Sequence, residues 1–212
     1  MISKRALHDG AAALGLPLSD EQGERLLTYA ALLLKWSKVY NLTALRDPAS
    51  VLSHHLLDSL SVIGPLARRQ PGRAALLDVG AGAGLPGVVI AIMRDNIRVS
   101  CLDAVAKKAA FVQQVAGELA LPNLKGVHAR VESLAGSYEL ISSRAFASLS
   151  DFFLGSRHLL APGGIWMAMK GKRPTEEIAQ LPAEIEVFHV EQLHVPGLDA
   201  ERCVVWARKA AG

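Results

Sequence analysis

The sequence predicts an α/β fold built on a mostly parallel sheet, and three observations carry that prediction. From about residue 74 onward, short apolar runs alternate with helical stretches, the pattern of repeated strand–helix units. The first run, Leu76-Leu77-Asp78-Val79, breaks into Gly80-Ala81-Gly82-Ala83-Gly84-Leu85-Pro86-Gly87 and then into the apolar stretch Val88 to Met93. That is a strand turning sharply through glycines into a helix. The last two runs, Ile185 to Leu193 and Cys203 to Ala207, have only a loop between them, so the sheet is expected to close with an antiparallel hairpin.

The elements follow in order. The first seventy residues read as helical. Ser19 with Gln22 makes a capping box, and Leu26, Leu27, Ala30, Leu33 and Leu34 then recur at helical spacing. Asp47-Pro48 starts another helix, with a capping carboxylate and then a proline where no N–H is needed. Val51, Leu52, Leu56, Leu60 and Ile63 continue its apolar face, and Gly64-Pro65 is expected to end it. Strands are predicted at 75–79, 97–102, 124–128, 138–142, 165–170, 184–192 and 202–208. Helices are predicted near 86–94, 104–120, 149–160 and 174–181. The chain therefore divides into a helical N-terminal extension, 1–70, and a sheet-bearing domain, 71–212.

Composition bounds the function. A chain of 212 residues, half of them hydrophobic, has enough apolar material for a core. At this size folding buries roughly 70% of the surface of the unfolded chain. Residues 1–10 carry Lys4, Arg5, His8 and Asp9, so no signal-peptide core is expected there, and no stretch approaches the roughly 20 apolar residues of a membrane span. A cytoplasmic protein away from membranes is expected. The net charge of +3 and pI near 9.0 lean toward a polyanionic partner without deciding it. Cys101 and Cys203 lie in predicted strands with no metal-ligand spacing and read as small buried hydrophobes. His54 and His55 are adjacent and point apart on a helix. His189 and His194 lie on opposite faces of a strand. No metal is expected. His54 and Asp58, at i and i+4, are expected to pair across a helix turn.

The glycine run is the chemical signal. A ligand can lie on its bare backbone, and the following helix adds free N–H groups and positive dipole. The run reads as G-x-G-x-G through Gly80, Gly82 and Gly84 after an acid, the pattern of S-adenosylmethionine (AdoMet) sites. It also reads as G-x-G-x-x-G through Gly82, Gly84 and Gly87, the dinucleotide fingerprint. The second strand ends in Asp103, where an acid holds ribose hydroxyls. The other strand ends offer Arg130-Val131-Glu132, Ser142-Ser143-Arg144-Ala145 and Lys170-Gly171-Lys172-Arg173. The fourth strand end lacks the Asn-Pro-Pro-Tyr type of motif used on exocyclic amines. No cysteine is placed to attack a pyrimidine carbon. What remains is an acceptor that is already nucleophilic, such as guanine N7. Its in-plane lone pair needs only in-line placement against a methyl group.

These residues resemble a known family. The segments Asp78 to Gly87, Ser143-Arg144-Ala145-Phe146-Ala147, Met169-Lys170-Gly171, Tyr40-Asn41-Leu42-Thr43-Ala44-Leu45-Arg46-Asp47 and His54-His55-Leu56-Leu57-Asp58-Ser59 are similar to the small-subunit ribosomal RNA guanine-N7 methyltransferases. The resemblance implies a Rossmann-like AdoMet-dependent methyltransferase sheet, mostly parallel with an antiparallel C-terminal strand. It implies AdoMet as donor, and as acceptor a guanine in the decoding-region loop of 16S rRNA or the small ribosomal subunit. Family cofactor contacts carry over to Gly80, Leu85, Val131, Glu132 and Arg144. Ala81 departs from the Thr or Ser that often follows the first glycine.

The expected cofactor site is Gly80, Gly82, Gly84, Leu85, Asp103, Val131, Glu132 and Arg144. Arg144, Asn41 and Lys170 are the candidate catalytic or acceptor-contacting residues, with Lys172 as a further phosphate contact. A monomer is expected. Three alternatives stay open on the residues alone: a small-molecule methyltransferase, a nicotinamide-dependent oxidoreductase using the Gly82-Gly84-Gly87 register, and a non-catalytic RNA-binding module.

Overall fold

The computed structural model describes residues 2–45 and 47–210. Arg46, part of one resembling segment, lies outside them. Strands β1 (Ala74–Val79), β2 (Ile97–Asp103), β3 (Leu124–His128), β4 (Tyr138–Arg144), β5 (Leu160–Lys170), β6 (Ile185–Leu193) and β7 (Arg202–Lys209) form a single sheet of order β3-β2-β1-β4-β5-β7-β6. The first five strands pair in parallel. β7 runs antiparallel to both β5 and β6, between which it lies. The expected hairpin thus forms, with its second strand slotted inward.

Side chains alternate across β1. Leu76 joins the apolar cluster on one face of the sheet, and Leu77 joins the cluster on the other. The first face carries α6 (Gly87–Met93), α7 (Ala106–Glu118) and the N-terminal helices α1 (Lys4–Ala13), α2 (Asp20–Tyr40), α3 (Pro48–Val51), α4 (Asp58–Leu60) and α5 (Ile63–Arg69). Their buried residues, Leu7, Leu33, Leu56 and Leu66 among them, are continuous with Val88, Ile90 and Val112 in one core. The second face is covered by α8 (Leu149–Ser156), whose Phe152 and Phe153 are fully buried against Trp166 and Ile141. A short α9 (Thr175–Ala179) follows β5.

The capping box at Ser19 and Gln22 forms in both directions and starts α2. Asp47 caps α3, accepting from the Ser50 N–H at 2.8 Å. Several expectations are corrected. The helix begun at Pro48 is not continuous. Residues Leu52–Leu57 form a π-helical turn before α4. Gly64-Pro65 does not end a helix. It lies in the first turn of α5, where a proline's missing N–H costs nothing. The helix predicted to residue 160 gives way to a 3-10 turn at Arg157–Leu159, and β5 begins at Leu160 rather than 165. Tyr138 pairs with Leu160 but Leu140 pairs with Ile165, so the extra residues bulge out, with Gly163 in the left-handed region at φ +72°. β4 runs two residues past its predicted end, which makes Arg144 its last residue.

Candidate functional site

The site lies at the carboxyl ends of β1, β2, β4 and β5, where an open α/β sheet holds ligands. Larger hollows of about 350 and 610 Å³ lie at the opposite strand ends, around Ala75, Arg98 and Leu124 or Glu139, away from the glycine loop. The loop is fixed from three sides. Asp78 is fully buried; its Oδ2 accepts from the Gly87 N–H at 2.9 Å and its Oδ1 from the Ser142 hydroxyl at 2.8 Å. Burial pushes its carboxyl up to about 6, against those two hydrogen bonds and the nearby Arg144 charge. Asp103 holds the loop from β2. One carboxylate oxygen accepts from the Gly82 N–H at 2.9 Å and the other from the Val105 N–H at 2.8 Å. The third hold comes from the N-terminal helices. The buried Tyr29 hydroxyl of α2 donates to the Ala83 carbonyl at 2.7 Å.

The glycines divide into two kinds. Gly80 and Gly82 have φ of +66° and +59°, and a Cβ built on either meets nothing closer than 3.8 Å. Their outer surface is open. Gly84 and Gly87 face inward. A Cβ on Gly84 would stand 2.4 Å from Val88 Cγ2, and one on Gly87 would stand 2.4 Å from Cys101 Sγ. The Gly84 and Leu85 N–H groups are both used on the Ala81 carbonyl, and Leu85 is buried. The open face therefore belongs to Gly80 and Gly82.

At Gly80 that face borders a cleft of about 160 Å³, lined by Val79, Gly80, Asp103, Val131, Glu132 and Phe146 among others. Val131 and Glu132 open a 3-10 turn, Val131–Ser133, that lines it. An adenine nucleoside fits this chemistry. The glycines form a cradle that any Cβ would fill, a buried carboxylate stands at its edge, and apolar walls suit a base.

A second cavity, of about 300 Å³, lies across the segment Arg144-Ala145-Phe146 and is lined by His54, Asp58, Arg144, Met169, Lys170 and Arg202 among others. Here the expected His54–Asp58 pair is not made. Asp58, 2% exposed, accepts from Arg144 Nη1 at 3.0 Å on one oxygen and from Arg202 Nε at 3.0 Å on the other. Two guanidinium groups, one on each carboxylate oxygen, take the place of the neighbouring imidazole, whose Nδ1 instead lies 2.9 Å from Ser53 Oγ. Arg144 Nη1 also donates to the His54 carbonyl at 2.9 Å. The π-turn frees that carbonyl, because the Asp58 N–H reaches back to Ser53 rather than to His54. His55 Nδ1 contacts the same carbonyl at 3.0 Å, and its Nε2 lies 2.7 Å from Thr43 Oγ1. Burial first, and the Arg144 charge second, push the His55 pKa down to about 4. A neutral ring therefore donates through Nδ1 and accepts from the Thr43 hydroxyl.

Lys170 lines this cavity with its ammonium 2.9 and 3.0 Å from the two Glu177 carboxylate oxygens. Asn41 lies in neither cavity. It is the left-handed C-cap of α2, at φ +51°. The exposed Lys172 lines neither cavity. Cys101 and Cys203 are buried and free. Among the described residues no three His, Cys, Asp or Glu side chains are grouped as a metal would need. Tyr29 and Arg202 were not singled out by the sequence, and no local signal marks them; Arg202 stands 144 positions from its partner Asp58.

The sheet order with its inserted antiparallel β7, and a glycine loop braced by an acid from β2, define a Rossmann-like methyltransferase domain. A structure from Burkholderia thailandensis, the 1,6-didemethyltoxoflavin-N1-methyltransferase with bound S-adenosylhomocysteine, shares this fold at TM-score 0.59 and 18% identity, covering 92% of each chain. The family profile described as rRNA small subunit methyltransferase G matches residues 22–205. The ribosomal RNA small subunit methyltransferase G of Acidovorax sp. (strain JS42) is 59% identical over 98% of this chain and 96% of its own. That of Acidovorax ebreus is 60% identical over the same shares. The chain belongs to the rRNA small subunit methyltransferase G family.

Proposed function

We propose that this protein transfers the methyl group of AdoMet to N7 of a guanine in the decoding-region loop of 16S rRNA. One arrangement carries the reading: a cradle for an adenine nucleoside and a cation-lined cavity lie on either side of Arg144-Ala145-Phe146. Family membership selects methyl transfer over nicotinamide chemistry, and ribosomal RNA over a small metabolite. The inward packing of Gly84, the glycine where the dinucleotide register brings backbone to the pyrophosphate, also argues against that register.

In this reading Gly80 and Gly82 admit the cofactor to the backbone. Gly84 and Leu85 shape the turn, Asp103 holds the ribose with lone pairs its two loop bonds leave over, and Val131 and Glu132 flank the adenine. Bound AdoMet supplies an electrophilic methyl on a sulfonium. Guanine N7 carries no proton, so the protein needs no base to generate the nucleophile. Its task is to bring the lone pair in line with the methyl and exclude water. Arg144 is the residue we assign to that task, and Asp58, with the His54 carbonyl, is its positioning partner. Lys170 contributes positive potential at the cavity wall, and Asn41 and Lys172 contact the RNA outside it. Residues 1–70 act as the RNA-facing extension of the domain at 71–212. The protein acts as a monomer in the cytoplasm and without a metal. Among the described residues no helix is long and apolar enough to cross a membrane.

The test is direct. Ribosomal RNA from cells with and without this protein is treated with borohydride and aniline, which cleave at N7-methylguanine. One cleavage in the decoding-region loop is expected to vanish without the protein. An unchanged cleavage pattern overturns the proposal.

A further inference from the structure

Outside both cavities, the corner where α2 ends and α7 begins has a composition unlike the rest of the surface. Among the described residues four large hydrophobic side chains are exposed, and three of them, Val39 (70%), Tyr40 (43%) and Val105 (47%), belong to this corner. Tyr40 is rooted in the protein through other rings. Its ring lies 5.1 Å from that of Trp36, which lies 5.3 Å from that of the fully buried Phe111. The Lys107 ammonium sits 5.3 Å over the Tyr40 ring. Lys35 and Lys38 stand on the exposed side of α2, within about one turn of Val39. Lys35, Lys38 and Lys107 make no ion pair among the described residues.

We propose that this corner is a stacking surface for a single-stranded segment of RNA. The proposal rests on the reading that ribosomal RNA is the substrate, and it says where that RNA lies outside the acceptor pocket. Two features favour a nucleic acid over a protein partner. An exposed aromatic face held firm by buried rings is what an unstacked base requires, and every base has such a face. Ammonium groups without carboxylates complement a row of phosphates. In the free protein Lys107 occupies the Tyr40 face as a cation–π contact. When a base takes that face, the ammonium turns to the adjoining phosphate.

The corner adjoins the site on two sides. Lys108 of α7 lies 3.8 Å from Asp103, at the rim of the cofactor cleft. Asn41 follows Tyr40 directly, and Thr43, two residues further, bonds His55 beneath the acceptor cavity. A strand of RNA stacked on Tyr40 therefore enters beside the two clefts.

Two measurements test this. In the first, Tyr40 is replaced by p-benzoylphenylalanine and the protein is photolysed with unmodified small subunits. Ribonuclease-sensitive adducts to rRNA are expected. Adducts confined to a ribosomal protein, or to a second copy of this chain, overturn the proposal. This readout needs no turnover, so it stands even if the methyl acceptor proves to be different. In the second, Tyr40→Ala and Lys107→Ala are expected to raise KM for the RNA substrate, by about tenfold for the lost stacking partner. The rate at saturating RNA and the affinity for AdoMet stay unchanged, and Tyr40→Phe behaves as wild type. Wild-type KM in both alanine variants overturns the stacking surface while leaving the methylation reading intact. Failure of the wild type to methylate any ribosomal RNA overturns that reading instead.

Discussion

At the scale of single residues, Arg144 carries the most. One nitrogen, Nη1, makes both of its bonds, to Asp58 and to the His54 carbonyl. That leaves Nε and Nη2 to present a planar edge to a ligand. Lysine keeps the charge and can still meet Asp58, but it has one nitrogen and no fork. Arg144→Lys is therefore expected to slow single-turnover methylation of small-subunit RNA by about a hundredfold, the usual cost of a roughly 1 Å misplacement. Its melting temperature should shift by only a few degrees, because the ion pair survives. A wild-type rate would remove Arg144 from the site. His55, beneath it, predicts a pH dependence. Its pKa falls from 6.5 to about 4 on folding, so between these values the unfolded chain binds the extra proton and the folded chain does not. The stability His55 confers is complete above pH 6.5 and is lost as pH falls toward 4. Asp78 works the other way. Its pKa is raised to about 6, so its contribution is present at low pH and lost as pH rises through 6. The difference in melting temperature between wild type and His55→Gln should grow steadily from pH 4 to 6.5. A difference that stays constant over that range would contradict the buried neutral imidazole.

At the scale of elements, the glycine loop is one turn with two kinds of glycine, and they should fail in different ways. A methyl on Gly82 meets open space within the protein, at the cost of a left-handed backbone for a non-glycine residue, roughly 1–2 kcal/mol. Gly82→Ala should fold and lose AdoMet binding, read by calorimetry. A methyl on Gly87 is driven into Cys101 Sγ and to 2.9 Å from Asp78 Oδ2, both buried. Gly87→Ala should melt far lower, because helix α6 must move off β1 and β2 and overpacking of a dense interior costs roughly 1–3 kcal/mol or more. If Gly82→Ala bound AdoMet normally, the open face would not be the cofactor's. The π-turn is the other informative element. It places a carbonyl outside the helix ladder and a buried carboxylate side by side, and Arg144 bonds both, so that a helix of the extension grips the end of β4.

At the scale of the whole molecule, the extension and the sheet share one core. Leu33, Leu56 and Leu66 are buried with Val88, Ile90 and Val112, and Tyr29 reaches from α2 to the glycine loop. The sequence read the two as successive segments, since a change from helical to alternating pattern is local. That they bury the same apolar surface is not local. Much was legible in advance: all seven strands, the capping box, the turn after β1, the acid ending β2 and the hairpin at the end. Each rests on residues within a few positions of one another, where spacing and backbone preference decide the outcome. The boundaries near Gly64-Pro65 and at Leu160 are not legible locally, because proline and glycine mark a break without saying which side of it is ordered. The sequence by itself thus determined the order of elements and the chemistry available at each strand end. Only the tertiary structure decided the partners: Asp58 with Arg144 and Arg202 rather than His54, Lys170 with Glu177, and Gly84 and Gly87 turned inward. A buried carboxylate takes whichever donors the folded sheet brings to it, and donors 86 and 144 positions away leave no trace in the spacing around it.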